Sequence, residues 1–111
     1  LIEIIVQEYL AEQLSVPVVL SHETGLPDSY VILEKTSSTK VDQVKSATFA
    51  FQSYAPSLYE AVKLNELVKS AVESLIELNE ISGVHFNSDY NYTDTETKQY
   101  RYQAVFDIGF F

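Results

Sequence analysis

The sequence predicts an α+β domain, a largely antiparallel five-stranded sheet with two helices packed on one face, in the order αβββαββ. Three observations predict it. Two segments, Ile2 to Leu14 and Ala61 to Leu78, repeat their apolar residues at helical spacing. Five short segments are β-branched or aromatic and are bounded by turn residues. There is no βαβαβ alternation, internal repeat or low-complexity run, so helical crossovers between parallel strands are not expected. At 111 residues the chain, 1–111, has room for one domain and one compact core.

Each element has its own warrant. Ile2, Ile5, Val6, Tyr9, Leu10 and Leu14 form one apolar stripe, with Glu3, Glu8, Glu12 and Gln13 between them, so the first helix is amphipathic. Pro17 stops it, and Val16 to Leu20 reads as a short strand. The stretch Ser21 to Asp28, with Gly25 and Pro27, is turn-rich. Tyr30 to Glu34 reads as a second strand and Val44 to Tyr54 as a third, with Ala47, Phe49 and Phe51 on one face and Ser46, Thr48 and Gln52 on the other. The polar run Thr36 to Gln43 is expected to join them as a connection longer than the tight two-residue type.

Ser57 followed three residues later by Glu60, ahead of an apolar run, has the form of a capping box and starts the second helix. Ala61, Leu64, Leu67, Val68, Ala71, Val72, Leu75 and Leu78 make its stripe, giving roughly 30 Å of helix ended near Asn79 and Gly83. The last third reads as a hairpin in which residue i faces residue 192 minus i. That register pairs Phe86 with Phe106, Ser88 with Ala104, Tyr90 with Tyr102 and Tyr92 with Tyr100 on one face. His85 with Asp107, Asn87 with Val105, Asp89 with Gln103 and Asn91 with Arg101 take the other. Asp94 to Thr97 form the exposed connection. With both helices on one face, the opposite face of the sheet is left partly uncovered or given to a partner.

Composition and charge then narrow function. Seven Lys and Arg against sixteen Asp and Glu give −9, the wrong sign for broad phosphate neutralisation, so specific nucleic-acid binding is not expected. The eight tyrosines could stack bases, but Asp89, Asp94 and Glu96 surround the Tyr90, Tyr92, Tyr100, Tyr102 group and only Lys98 and Arg101 accompany it. Without cysteine there is no disulfide framework, Cys-zinc site or thiol nucleophile. The three glycines, Gly25, Gly83 and Gly109, are isolated and form no phosphate-binding loop. Apolar stretches such as Val16 to Leu20 are far shorter than the roughly 20 residues of a membrane span, and Leu1 to Val6 carries Glu3 and no basic residue, unlike a secretory signal.

Only His22 and His85 supply imidazoles, no nucleophile elbow is present, and pairing with Asp107 accounts for His85, so no catalytic residue is assigned. Asp89, Asp94 and Glu96 lie near one hairpin tip but lack the spacing of a calcium loop and read as solvated turn residues, so no metal site or cofactor is expected. Glu73, Glu77 and Glu80 gather at the C-terminal end of the long helix, where the macrodipole disfavours anions, with Lys69 four residues from Glu73 offsetting part of the charge. They read as a solvated face or as a negative surface kept for a partner or for repelling DNA.

Several segments together resemble the small tail-completion or tail-terminator (head-to-tail joining) proteins of long-tailed bacteriophages and prophages. The carriers are the opening helix running into Leu14-Ser15-Val16-Pro17-Val18, the turn Leu26-Pro27-Asp28-Ser29-Tyr30 leading into Val31-Ile32-Leu33-Glu34, and the strand Ala47 to Tyr54. The helix from Ser57 to Val72 follows, and then the ending Tyr92 to Tyr102, where Asp94-x-x-Thr97 precedes Arg101-Tyr102. The chain departs from that pattern after Glu34, where glycines are missing. The resemblance implies a non-enzymatic virion protein at the head-tail interface, assembled in the host cytoplasm. It would self-associate as a hexameric ring, cap the tail tube protein and meet the head connector proteins, with no membrane partner.

The exposed polar loops are the candidate contacts: Thr36, Ser38, Lys40 and Asp42 in one, Asp94, Glu96 and Lys98 in the other. Glu73, Glu77 and Glu80 would line a DNA-repelling lumen, since six copies at −9 carry about −54 charges. An acidic binding or regulatory module, such as a DNA mimic or small-ligand domain, is the alternative, and it would show one stoichiometric partner or a deep apolar pocket. A hydrolase would need a cleft with coupled titratable groups.

Overall fold

The computed structural model describes residues 1–111, and its helices and strands appear in the expected order. Helix α1 (Ile2–Gln13) buries Ile2, Val6 and Leu10, one residue per turn, and Glu8, Glu12 and Gln13 face out. Strand β1 is only Val18–Val19, shorter than the Val16 to Leu20 expected. Pro17 has no N–H to give a ladder, and its carbonyl instead accepts the Val31 N–H at 2.9 Å. The loop through Gly25, at φ 86°, brings the chain round so that β2 (Tyr30–Val41) runs parallel to β1. The sheet is therefore mixed, with one parallel pair.

β2 does not end at Glu34. It continues through Val41, turns at Asp42 and Gln43, and returns as β3 (Val44–Ala55). The expected long connection Thr36 to Gln43 is thus strand plus a two-residue turn, with φ 50° at Asp42 and 70° at Gln43, the left-handed pair that matches strand twist in a tight hairpin. Polar residues on both faces concealed it: Thr36 to Val44 are all exposed, and an edge ribbon that buries neither face has no apolar alternation to display. A bulge between Lys35 and Ser37 makes Thr36 the extra residue.

Helix α2 (Leu58–Glu73) starts where the capping box put it. The Ser57 hydroxyl accepts the Glu60 N–H at 3.2 Å, and the Glu60 carboxylate returns to that hydroxyl. The α-helix is shorter than the stripe through Leu78 suggested, because Ser74 to Glu77 tighten into a 3-10 turn. The Ser74 hydroxyl is tied to the Ala71 carbonyl and to the Tyr9 hydroxyl at 2.7 Å each, anchoring that turn to α1. Leu67, expected in the stripe, is exposed, and Asn65 is buried in its place.

β4 (Ile81–Asn91) and β5 (Tyr100–Phe110) complete a sheet of order β1-β2-β3-β5-β4. The register i with 192 minus i holds for Gly83, Val84, His85 and Phe86, and then shifts by one at a bulge that leaves Asn87 unpaired. Beyond it Ser88 faces Val105, Asp89 faces Ala104, Tyr90 faces Gln103 and Asn91 faces Tyr102, replacing the expected pairs. The bulge exchanges the two faces of the strand end. Asp89 turns toward α2, and Tyr90 leaves the helix side for the open side.

Both helices lie on one face, α1 over β1 and β2 and α2 over β3 and β5. Between helices and sheet an 18-residue cluster includes Val6, Leu33, Phe49, Phe51, Val68, Leu75, Phe106 and Ile108, with Phe51 and Phe106 edge to face at 5.9 Å between centroids.

Candidate assembly surfaces

The candidate contact residues fall at opposite ends of the sheet. Thr36, Ser38, Lys40 and Asp42 belong to the β2–β3 hairpin end, and Asp94, Glu96 and Lys98 to the β4–β5 turn beside Ala55 and Tyr100. They do not form one site.

At the hairpin end the Thr36 hydroxyl donates to the Thr48 carbonyl at 3.2 Å, and the Thr39 and Ser46 hydroxyls pair at 2.9 Å. The outermost pairs look outward instead. Val41 faces Val44, 65% and 62% exposed, and Lys40 lies directly opposite Lys45. Two like charges at facing positions destabilise a strand pair. Lys45 rests over the Phe110 ring at 5.8 Å, while Lys35 is neutralised by Glu3 at 3.2 Å. The Glu3 carboxyl is held below its ordinary value, first by its own backbone N–H and then, against burial, by the Lys35 ammonium.

The other turn is organised from within. The Asp94 carboxylate accepts the backbone N–H groups of Glu96 at 3.0 Å and Thr97 at 3.4 Å, and Lys98 takes φ 56°. The Thr97 side chain, followed by those two backbone donors, lowers the Asp94 pKa. Asp94 is therefore engaged by its own turn, whereas Glu96 and Lys98 are exposed. Glu73 ends α2, Glu77 ends the 3-10 turn and Glu80 precedes β4; all three are exposed. Lys69 does not reach Glu73. Its ammonium meets Asp89 at 2.9 Å and Glu66 at 3.2 Å.

Asp89 is thus no solvated turn residue. Its Oδ2 accepts both Lys69 and the Asn65 amide, 2.9 Å each, fastening the edge strand to α2. Asp89, and Glu66 more weakly, raise the Lys69 pKa against the opposing effect of burial.

The uncovered sheet face carries a cluster that loop-based reasoning missed. Tyr30 and Tyr54 stack with centroids 4.7 Å apart, and the two His22 ring nitrogens each lie 3.4 Å from one of their hydroxyls. Arg101 donates to the Tyr54 hydroxyl at 2.9 Å and lies 4.4 Å from the Tyr92 ring centroid. Burial, then proximity to Tyr54, raises the Tyr30 pKa. Farther along, Gln52, Gln103 and Tyr90 form a chain, and Asp107 accepts Thr48 at 2.7 Å and Asn87 at 3.3 Å. His85 stands opposite Asp107 in register, as expected, while the Asp107 carboxylate is held by Thr48 and Asn87. The period-two placement of Tyr30, Gln52, Tyr54, Arg101 and Gln103 was the available signal; it appears only once the strands are aligned.

Charge is unevenly distributed. From Thr36 to Ser46 two lysines accompany one aspartate, so this hairpin end is +1 while the rest of the chain is −10. No three His, Cys, Asp or Glu side chains converge as metal ligands, and no helix is long and apolar enough to cross a membrane. No protein-family model and no curated protein matches the chain.

Proposed function

We propose that this chain is a non-enzymatic assembly protein that forms a ring, caps the tube of a bacteriophage tail and takes part in joining the head to it. The observation that carries the self-assembly reading is the charge division: a +1 hairpin end with two exposed valines on a body of −10. A closed ring needs two different, mutually complementary patches on every subunit, and these surfaces are opposite in sign. The tail-terminator resemblance supplies the setting. In it, a hexamer rests on the tail tube protein and presents its other side to the head connector, in the virion after assembly in the host cytoplasm.

The open sheet face suits a scaffold, because its polar groups largely satisfy one another. In the ring, Glu73, Glu77 and Glu80 supply lumen charge that discourages DNA adhesion without binding nucleic acid specifically. Electron microscopy of headless tails mixed with the purified chain tests the reading. Rings at one tail end, and tails competent to accept heads, are expected. A chain that stays monomeric at every concentration and leaves tail ends bare contradicts it.

A further inference from the structure

Resting on that self-assembly reading, we infer that the β2–β3 hairpin tip of one copy seats in a groove beside α1 of the next. The tip offers Val41 and Val44 as an exposed cross-strand pair, followed inward by Lys40 and Lys45 at facing positions. This arrangement is unfavourable in an isolated chain twice over: apolar surface stays in water, and two lysines occupy facing strand positions with no carboxylate partner. A partner that relieves both must present an apolar floor and carboxylates together.

One depression on this molecule does so. It lies between α1 and the segment after the 3-10 turn, with Ile5, Tyr9 and Leu78 as apolar lining and Glu8, Glu12 and Glu80 as its acids, and it includes no basic residue. The occupant is a second copy of this chain because the hairpin from Thr36 to Ser46 is basic, with Lys40 and Lys45 against Asp42, while the remainder of the chain is −10 and supplies the acids of the groove. Tip and groove are different surfaces, so the contact is heterologous and repeats from copy to copy. It also gives Glu80 an interface role in place of the lumen role read from the sequence. The contact is small, which makes single pairs weak and leaves closure of the ring to stabilise the assembly.

The absence of cysteine allows a direct test. Two single-cysteine chains, Val44→Cys and Glu12→Cys, are mixed at concentrations where the wild type associates and are oxidised gently. Mixed disulfides are expected at least about ten-fold faster than between Val44→Cys and Lys98→Cys, whose thiol sits at the far end of the sheet. Charge reversal gives a second readout in sedimentation. Lys40→Glu and Glu12→Lys should each weaken self-association about ten-fold, and mixing the two variants should restore it to within about three-fold, since both contacts in the alternating assembly are again complementary.

Circular dichroism checks that the exposed substitutions leave each variant folded, and Val44→Ser replaces Lys40→Glu should that chain not fold. Assembly that persists unchanged through every reversal, with no preferential mixed disulfide, overturns the tip-in-groove contact while the ring reading stands. Failure of the wild type to associate at all, alone or on tails, overturns both. Mixed disulfides confined to closed pairs retain the contact and overturn the ring.

Discussion

The two halves of β2 have opposite fates within one strand. From Tyr30 to Lys35 it pairs with β3, with β1 on its other side at Val31 and Ile32, and Val31, Ile32 and Leu33 are buried. From Thr36 to Val41 it pairs with β3 alone, and every residue is exposed. A long edge strand is a liability for a solitary protein. The bulge at Thr36 and the lysines blunt it, but the valine pair at the tip does not. The inner half secures the fold, and the outer half adds little to it, as expected of a segment retained for contact with another chain.

Substitutions can break or sharpen that contrast. Phe49→Ala, on the inner face opposite Lys35, removes a fully buried ring and should cost about 3 to 5 kcal/mol in urea unfolding. Asp89→Ala leaves Asn65 and Lys69 without their shared acceptor and should cost about 1 to 3 kcal/mol. The clamp has a pH signature. A raised lysine pKa adds stability that is fully present below the ordinary lysine value, about 10.4, and is lost as pH rises through the folded-state value. Stability titrated upward from pH 9 should therefore fall more steeply for wild type than for Asp89→Ala. Ser57→Ala removes the cap of α2 and should cost about 1 kcal/mol by thermal unfolding. At the smallest end, Val41→Ser and Val44→Ser should change stability by no more than about 0.5 kcal/mol, because neither side chain is buried.

Legibility in the sequence followed burial. The stripe of α1, the Ser57 cap and the alternation of Ala47, Phe49 and Phe51 were readable because one face of each element enters the core. The outer half of β2 reads as a loop in the sequence because neither of its faces does. The hairpin of β4 and β5 was legible as far as Phe86 and lost at Asn87, since a bulge leaves no mark in the pattern until the partner strand is in place. Asn65 and Leu67 exchanged roles for a related reason: Asn65 is buried where it meets Asp89, a partner that the wrong register had turned away. Of the candidate contacts, Lys40 and Asp42 are exposed, as expected of the connection Thr36 to Gln43, but Lys40 lies in β2 rather than in a loop. The facing of Lys40 and Lys45 and the two-residue turn of Asp42 and Gln43 are not legible in the sequence, and neither Glu8 nor Glu12 stands out among sixteen acids until α1 is set beside Leu78.

Sedimentation equilibrium of the wild type beside a Val41→Ser, Val44→Ser double variant addresses the division of labour along the β2–β3 hairpin most directly. The account predicts a wild type whose mass rises with concentration and a variant that stays monomeric with an unchanged unfolding midpoint. A variant that associates as the wild type does, or that loses its fold, would contradict it.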